Sequence, residues 1–344
     1  MHFASDNTAG ISPEILAALA AVNDGAAASY GADPVTARLE AKLADLFEHE
    51  VAVFPVATGT AANALGLAAV TPPWGAVLCH AGAHIACDEA NAPEFYSAGA
   101  KLVPIDGPDG KLALADLEAR LPGDLGNPHH AQPAAISLTQ ATECGTAYRP
   151  GEIAAISALA HRHGLAVHMD GARFANALVH LGVSPAELTW RAGVDVLSFG
   201  ATKNGALAAE AIVFFDPARA RDMPFRRKRA GHLFSKMRFL SAQLDAYVTD
   251  GLWLRNARHA NAAAQRLAEG LGRLPGARLR HPVEANELFV ELPERVITGL
   301  AAAGAQFHRW EGPTSTCIRL VTAWNIGDAE VSAFLEAASR LAGR

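Results

Sequence analysis

Apolar residues follow two rhythms along the first two-thirds of the chain. Short apolar runs, "VAVFPV" (51–56), "AVLCH" (76–80), "KLVPI" (101–105), "PAAISLT" (133–139), "LAVHMDG" (165–171), "VDVLSFG" (194–200) and "AIVFF" (211–215), read as buried strands. Between them the spacing turns helical. Val35, Leu39, Leu43, Leu46 and Phe47 repeat on one helix face, with Asp33 as cap and Pro34 in the first turn. "TGTAANALGLAAV" (58–70) reads as a turn opening a helix, and the segments 84–99, 150–164 and 184–193 also read as helices.

Strands alternating with helices predict an α/β unit with a mostly parallel sheet. The pattern changes after about residue 230. One long helical stretch (237–274) precedes short strands at 287–292 and 317–324 and a last helix at 328–343. This predicts a large domain over 1–250, including the N-terminal segment, and a smaller C-terminal α/β domain over 251–344.

Composition narrows the function classes. Half of the 344 residues are hydrophobic, enough for a sizeable core. No apolar run approaches the ~20 residues of a membrane span. The start, "MHFASDNTAGISPEIL", lacks a basic stretch followed by an apolar block, so no signal peptide is expected and a cytoplasmic protein is. A net charge of −6 offers no general attraction to nucleic acid or anionic lipid. The four cysteines (Cys79, Cys87, Cys144, Cys317) have irregular spacings and no CxxC, which fits reduced thiols. His80 and His84 stand four apart, but there is no HExxH, and no metal site is expected.

Ligands of parallel α/β sheets gather at the carboxyl ends of the strands. There the sequence places Gly59-Thr60 at a helix start, His84, Asp170 followed by Arg173, and Thr202-Lys203. Together they form a phosphate cradle, a stacking ring, a carboxylate and a lysine, and each has a use with pyridoxal 5'-phosphate. Free N–H groups at Gly59 and Thr60 suit the phosphate. Asp170 can hold the pyridine nitrogen protonated, and Lys203 can form a Schiff base with the aldehyde. Taken singly, each feature has a plainer structural reading. "GATKNG" fails the P-loop pattern, and no GxGxxG occurs.

The segments "SDNTAG", "YGADPVTARLE", "TGTAAN", "HI" with Glu89 beyond it, "VHMDGARFANA", "SFGATKNG" and "IRLVTAW" resemble the threonine aldolase family, pyridoxal-phosphate enzymes of the aspartate-aminotransferase fold (fold type I). The resemblance covers nearly the whole chain and extends to bacterial low-specificity L-threonine aldolases, some described as phenylserine aldolases. It implies reversible cleavage of β-hydroxy-α-amino acids to glycine and an aldehyde. It makes Lys203 the Schiff-base lysine, Asp170 the pyridine partner and Gly59-Thr60 the phosphate turn. His84 becomes the ring-stacking histidine and candidate base, while Ser5, Arg173 and Arg319 bind the substrate carboxylate. Tyr30 is implied at a subunit border, and the run Arg226–Arg229 overlaps a segment that reaches a neighbour's phosphate. A homodimer or homotetramer with shared sites follows from this.

One departure stands out. Many members carry a histidine in "ENTHN", where this chain reads "LTQATECG" with Ala141 near the histidine's place. The same machinery also serves β-eliminating lyases, serine hydroxymethyltransferase-like enzymes, aminotransferases and non-catalytic pyridoxal-phosphate binders. The "HMDGAR" and "YGxDP" motifs favour aldol cleavage.

Overall fold

The computed structural model describes residues 1–343, with only the backbone of Pro122 and Asp124. The seven apolar runs form one sheet: β1 (Ala52–Val56), β2 (Gly75–His80), β3 (Lys101–Ile105), β4 (Gln132–Thr139), β5 (Ala166–Gly171), β6 (Val196–Gly200) and β7 (Glu210–Phe214). Their order is β1-β7-β6-β5-β4-β2-β3. The pairings from β3 through β6 are parallel, while β7 runs antiparallel to both β6 and β1. The sheet is therefore mostly parallel, as expected. Buried on both faces, its central strands carry near-continuous apolar sequence.

The helix Gly59–Val70 is buried from Ala61 to Ala68. Its alanines and Gly66 bring it close to the sheet. A Cβ at Gly66 would stand 3.3 Å from Val196 and 3.5 Å from Ile212. The helix Pro34–Phe47 starts as its sequence predicts, with Asp33 Oδ1 accepting the N–H groups of Val35 (3.0 Å) and Thr36 (2.9 Å). Phe47 then joins Phe174, Phe199, Tyr247 and Trp253 in the main core.

Three predicted helices are broken. The segment 84–99 yields only His84–Cys87 and Ala92–Tyr96, because Ala90 and Asn91 take positive φ and Glu89 turns into the protein. The long stretch 237–274 divides into Arg238–Val248 and Leu252–Gly272, at Asp250 (φ 51°) and Gly251 (φ 66°). The segment 184–193 holds a helix of Pro185–Leu188 and a separate 3₁₀ turn.

A second sheet, β8 (Arg278–Leu279), β9 (Glu287–Glu291), β10 (His308–Arg309) and β11 (Cys317–Val321), has the antiparallel order β10-β11-β9-β8. Helices Leu252–Gly272, Glu294–Ala302 and Asp328–Ala342 supply its apolar cover, which includes Leu267, Val296 and Phe334. The start of the chain packs here. Phe3 meets Phe334 at 4.9 Å between ring centres, and its carbonyl accepts the Val321 N–H at 2.8 Å. The next residues cross to the first sheet and bring Asp6 to Arg173. Among the described residues no helix is long and apolar enough to cross a membrane.

Candidate active site

The carboxyl ends of β5 and β6 lie side by side, with Asp170 paired to Ser198 in register. The chain leaves β6 into a 3₁₀ turn, Thr202–Asn204, which carries Lys203. Asn204 anchors that turn by donating to the Tyr247 hydroxyl and the Trp253 carbonyl, each at 2.8 Å. Gly205 closes it at φ +116°, with Asn256 only 2.9 Å from where a Cβ would stand. The lysine thus sits on a stiff support. Its ammonium makes no hydrogen bond or ion pair among the described residues and lines a cavity of about 340 Å³. That size lies within the ~300–1,000 Å³ range of small-molecule sites.

Gly59, Thr60, His84, Asp170, Thr202 and Lys203 all line this cavity. At the start of helix Gly59–Val70 the Thr58 hydroxyl accepts the Ala61 N–H at 3.1 Å, and the Thr58 carbonyl takes Ala62. Among the described residues the N–H groups of Gly59 and Thr60 have no partner. A Cβ at Gly59 would meet nothing within 4 Å, so the space above the helix end is open. A phosphate fits such a cradle.

Asp170 is held by two donors, Ala172 N–H at 3.0 Å and Asn63 Nδ2 at 2.9 Å. The same Asn63 nitrogen donates to Glu89 Oε1 at 2.8 Å, and Glu89 Oε1 also meets His84 Nδ1 at 2.8 Å. A carboxylate at Nδ1 fixes the proton there and leaves Nε2 for the cavity. The Glu89 bond raises the His84 pKa above its ordinary value against the opposing effect of burial. Behind Asp170, His168 lies between Ser137 (2.9 Å) and Ser198 (3.1 Å), and burial lowers its pKa to about 4. Buried Glu210 accepts the Ala201 N–H at 2.8 Å and bonds the Thr202 hydroxyl, and burial raises its pKa to about 7.

The other expected residues do not line the cavity. Arg173 is buried behind it, bonded to Asp6 at 2.9 and 3.1 Å and 3.6 Å from Glu287. Burial works against its charge, but Asp6, Glu287 and Glu143 outweigh that. Arg319 donates to Glu287 at 3.0 and 2.7 Å. Ser5 caps the short 3₁₀ turn Asp6–Thr8 by accepting the Asn7 N–H, and Asn7 itself reaches the cavity. Tyr30 is half exposed at φ 59°, with the Lys228 ammonium 4.9 Å above its ring. Within the basic run, Arg227 is buried against Pro55 O and the Phe54 ring of its own chain.

Sequence reasoning assigned no role to Asn63, Glu89, Glu143, Asp6 or Glu287, although all five shape the site. Asn63 carried a usable signal, since it stands one helical turn beyond Gly59 and so faces the same way. Asp6 and Glu287 carried none, because they meet Arg173 from remote parts of the chain.

The profile of the beta-eliminating lyase family matches residues 2–294. A low specificity L-threonine aldolase from Pseudomonas aeruginosa is 47% identical over 94% of this chain and 93% of its own. Another from a Pseudomonas species is 45% identical over 96% and 94%. A solved threonine aldolase from Leishmania major superposes with a TM-score of 0.93 at 30% identity, covering 99% of both chains. With a matching profile, near full-length relatives and a shared architecture, the chain belongs to the beta-eliminating lyase family, in its threonine aldolase group of pyridoxal-phosphate-dependent fold type I lyases.

Proposed function

We infer that this chain catalyses reversible cleavage of L-threonine, L-allo-threonine and related β-hydroxy-α-amino acids, phenylserine among them, to glycine and an aldehyde. The observation that carries the reading is the cavity that brings together a lysine with no partner among the described residues, a doubly bonded aspartate, an open helix end and a carboxylate-held histidine.

Pyridoxal 5'-phosphate bound there would receive the electron pair released from the Cα–Cβ bond. Gly59 and Thr60 would hold its phosphate, with Thr202 nearby. Asp170 would face the ring nitrogen, Lys203 would supply the amine that links it, and His84 would cover the ring. His84 Nε2, free while Nδ1 is tied to Glu89, is the base for the β-hydroxyl proton. Ser5, Arg173 and Arg319 are assigned to the substrate carboxylate, whose fixed position would orient the breaking bond. In this reading residues 1–250 form the cofactor domain and 251–344 the smaller domain, a division supported by the two sheets and their separate cores.

Assembly belongs to the same reading. Tyr30 would serve a neighbouring copy's site in a homodimer or homotetramer. Its exposure supports this, as do the exposed Phe225 on the basic helix Met223–Arg229 and the exposed Phe95 near Arg226 and Arg229. Inactive Tyr30→Ala and Lys203→Ala chains, once their subunits exchange, should regain activity in hybrids, and no recovery would reject the shared site.

Incubation with the three named amino acids, scored for glycine and aldehyde, tests the activity. Equimolar glycine and aldehyde from wild type, absent from Lys203→Ala, is the expected result. Release of a keto acid and ammonia instead would replace aldol cleavage with β-elimination.

A further inference from the structure

Four carboxyl-bearing residues line the cavity: Glu89, Glu143, Asp170 and Glu210. Three are tied down. Glu89 accepts from Asn63 and His84, Asp170 from Asn63 and Ala172, and Glu210 from Ala201. Glu143, just past the end of β4, makes no hydrogen bond or ion pair among the described residues. Its carboxyl is free to act on whatever occupies the space it shares with His84 and Lys203.

Its surroundings decide its charge. Burial raises the Glu143 pKa, Arg173 opposes the rise, Glu287 adds to it, Lys203 lowers it and Asp170 raises it. His84, Cys87 and Cys144 feel its field in turn. The balance keeps a proton on Glu143 at pH values where an ordinary glutamate has lost it.

We propose that Glu143 is the acid that delivers a proton to Cα as glycine forms, and that takes it back in the synthetic direction. This rests on the reaction proposed above. Each cleavage moves two protons. The β-hydroxyl O–H breaks and its proton goes to His84 Nε2, while the O–H electron pair completes the aldehyde C=O. The Cα–Cβ bond breaks and its pair stays on the Cα side. Cα then takes the Glu143 proton with that pair, forming the C–H bond of glycine and leaving a carboxylate. Cavity water returns the proton held by His84 to Glu143, so the enzyme is restored with no net oxidation. Two proton positions are needed, and His84 Nε2 and the Glu143 carboxyl, neither hydrogen-bonded among the described residues, belong to residues that line the cavity with the lysine assigned to the cofactor.

The test follows exchange of the glycine Cα hydrogen in D₂O by proton NMR. Glu143→Gln should slow exchange by ~10²–10⁴-fold, the usual worth of general acid–base help. The absorption spectrum and affinity of the bound cofactor should stay as in wild type. Glu143→Asp, an acid one methylene shorter, should fall between the two, and it carries the comparison if the glutamine variant does not fold. A second readout needs no turnover. In cofactor-free protein labelled with ¹³C at the glutamate carboxyls, Glu210 and Glu40 also titrate high because they are buried, and beside them a further resonance should titrate above the ordinary glutamate range and be missing from Glu143→Gln. Wild-type exchange rates in Glu143→Gln would assign the proton to Lys203 or water and overturn the proposal, as would high-titrating carboxyl resonances that this substitution leaves unchanged. Wild type that neither cleaves the amino acids nor exchanges glycine would instead overturn the reading of the whole site.

Discussion

Asn63→Leu tests whether one amide holds the site in shape. The side chain donates through a single nitrogen to Glu89 (2.8 Å) and Asp170 (2.9 Å), both buried acids. Leucine keeps the volume and removes the donor. Hydrogen bonds to charged groups are worth about 1.5–3 kcal/mol each, so losing both should lower the stability by about 3–6 kcal/mol.

The assay is urea unfolding followed by tryptophan fluorescence. Trp253 is a built-in reporter, packed against Phe174 and Phe199 close to the lysine turn. His84 should lose orientation with Glu89, so the cofactor spectrum of the variant should change as well. A deficit below about 1 kcal/mol, outside the range expected for two charge-assisted bonds, would refute the bridging role.

Other outcomes follow from the same geometry. Asp170→Asn should retain some cofactor but lose cleavage rate more than substrate affinity, read from kcat and KM separately, because the electron sink acts in the transition state. His84→Phe keeps an aromatic face and removes the proton acceptor, and cleavage should fall ~10²–10⁴-fold; a much smaller loss would pass the base role to another group. His168, neutral in the fold with a pKa lowered to about 4, must charge on acid unfolding. The unfolded state binds more protons between about pH 4 and 6.5, so stability should fall by about 3 kcal/mol as pH drops through that window, and His168→Asn should flatten that slope in denaturation curves.

How much of this was legible depends on what each residue's neighbours in sequence could say. The strands were plain because burial on both faces leaves an apolar run with no polar alternation. The helix Pro34–Phe47 was plain because its cap and periodicity agree. Glu89 shows where local pattern fails. The stretch around it is helical by composition, yet turning one carboxylate inward to Asn63 and His84 requires left-handed backbone at Ala90 and Asn91. A tertiary bond overrode propensity there, and nothing in the stretch announces it. The ligating edge was legible, since strand ends in a parallel sheet declare their positions. The partners of Arg173 were not, because Asp6 arrives from the other end of the domain, beside the strand end that carries Glu287.

Those partners change what substrate binding must involve. Arg173 and Arg319 are assigned to a substrate carboxylate, yet in the free protein each already faces a carboxylate, Asp6 for one and Glu287 for both. Two guanidinium groups against two acids make a neutral set in a site that water scarcely reaches. Burial resists ionisation of Asp6, but Arg173 and Lys203 together hold its carboxyl below the ordinary value, so that acid remains charged. A third carboxylate entering the set would leave an unpaired negative charge in low dielectric, which is costly. Glu143 bears on that cost. Glu287 and Asp170 help push its pKa up, so its proton keeps a further negative charge out of the same space. Substrate carboxylate binding and a protonated Glu143 therefore favour each other. Removing the Glu287 charge with Glu287→Gln should weaken the proton's hold on Glu143, and the high-titrating resonance that Glu143→Gln removes should move toward the ordinary glutamate range. An unmoved titration in that variant would show that burial alone sets the Glu143 proton, and the electrostatic link between the arginine cluster and the proton donor would fall.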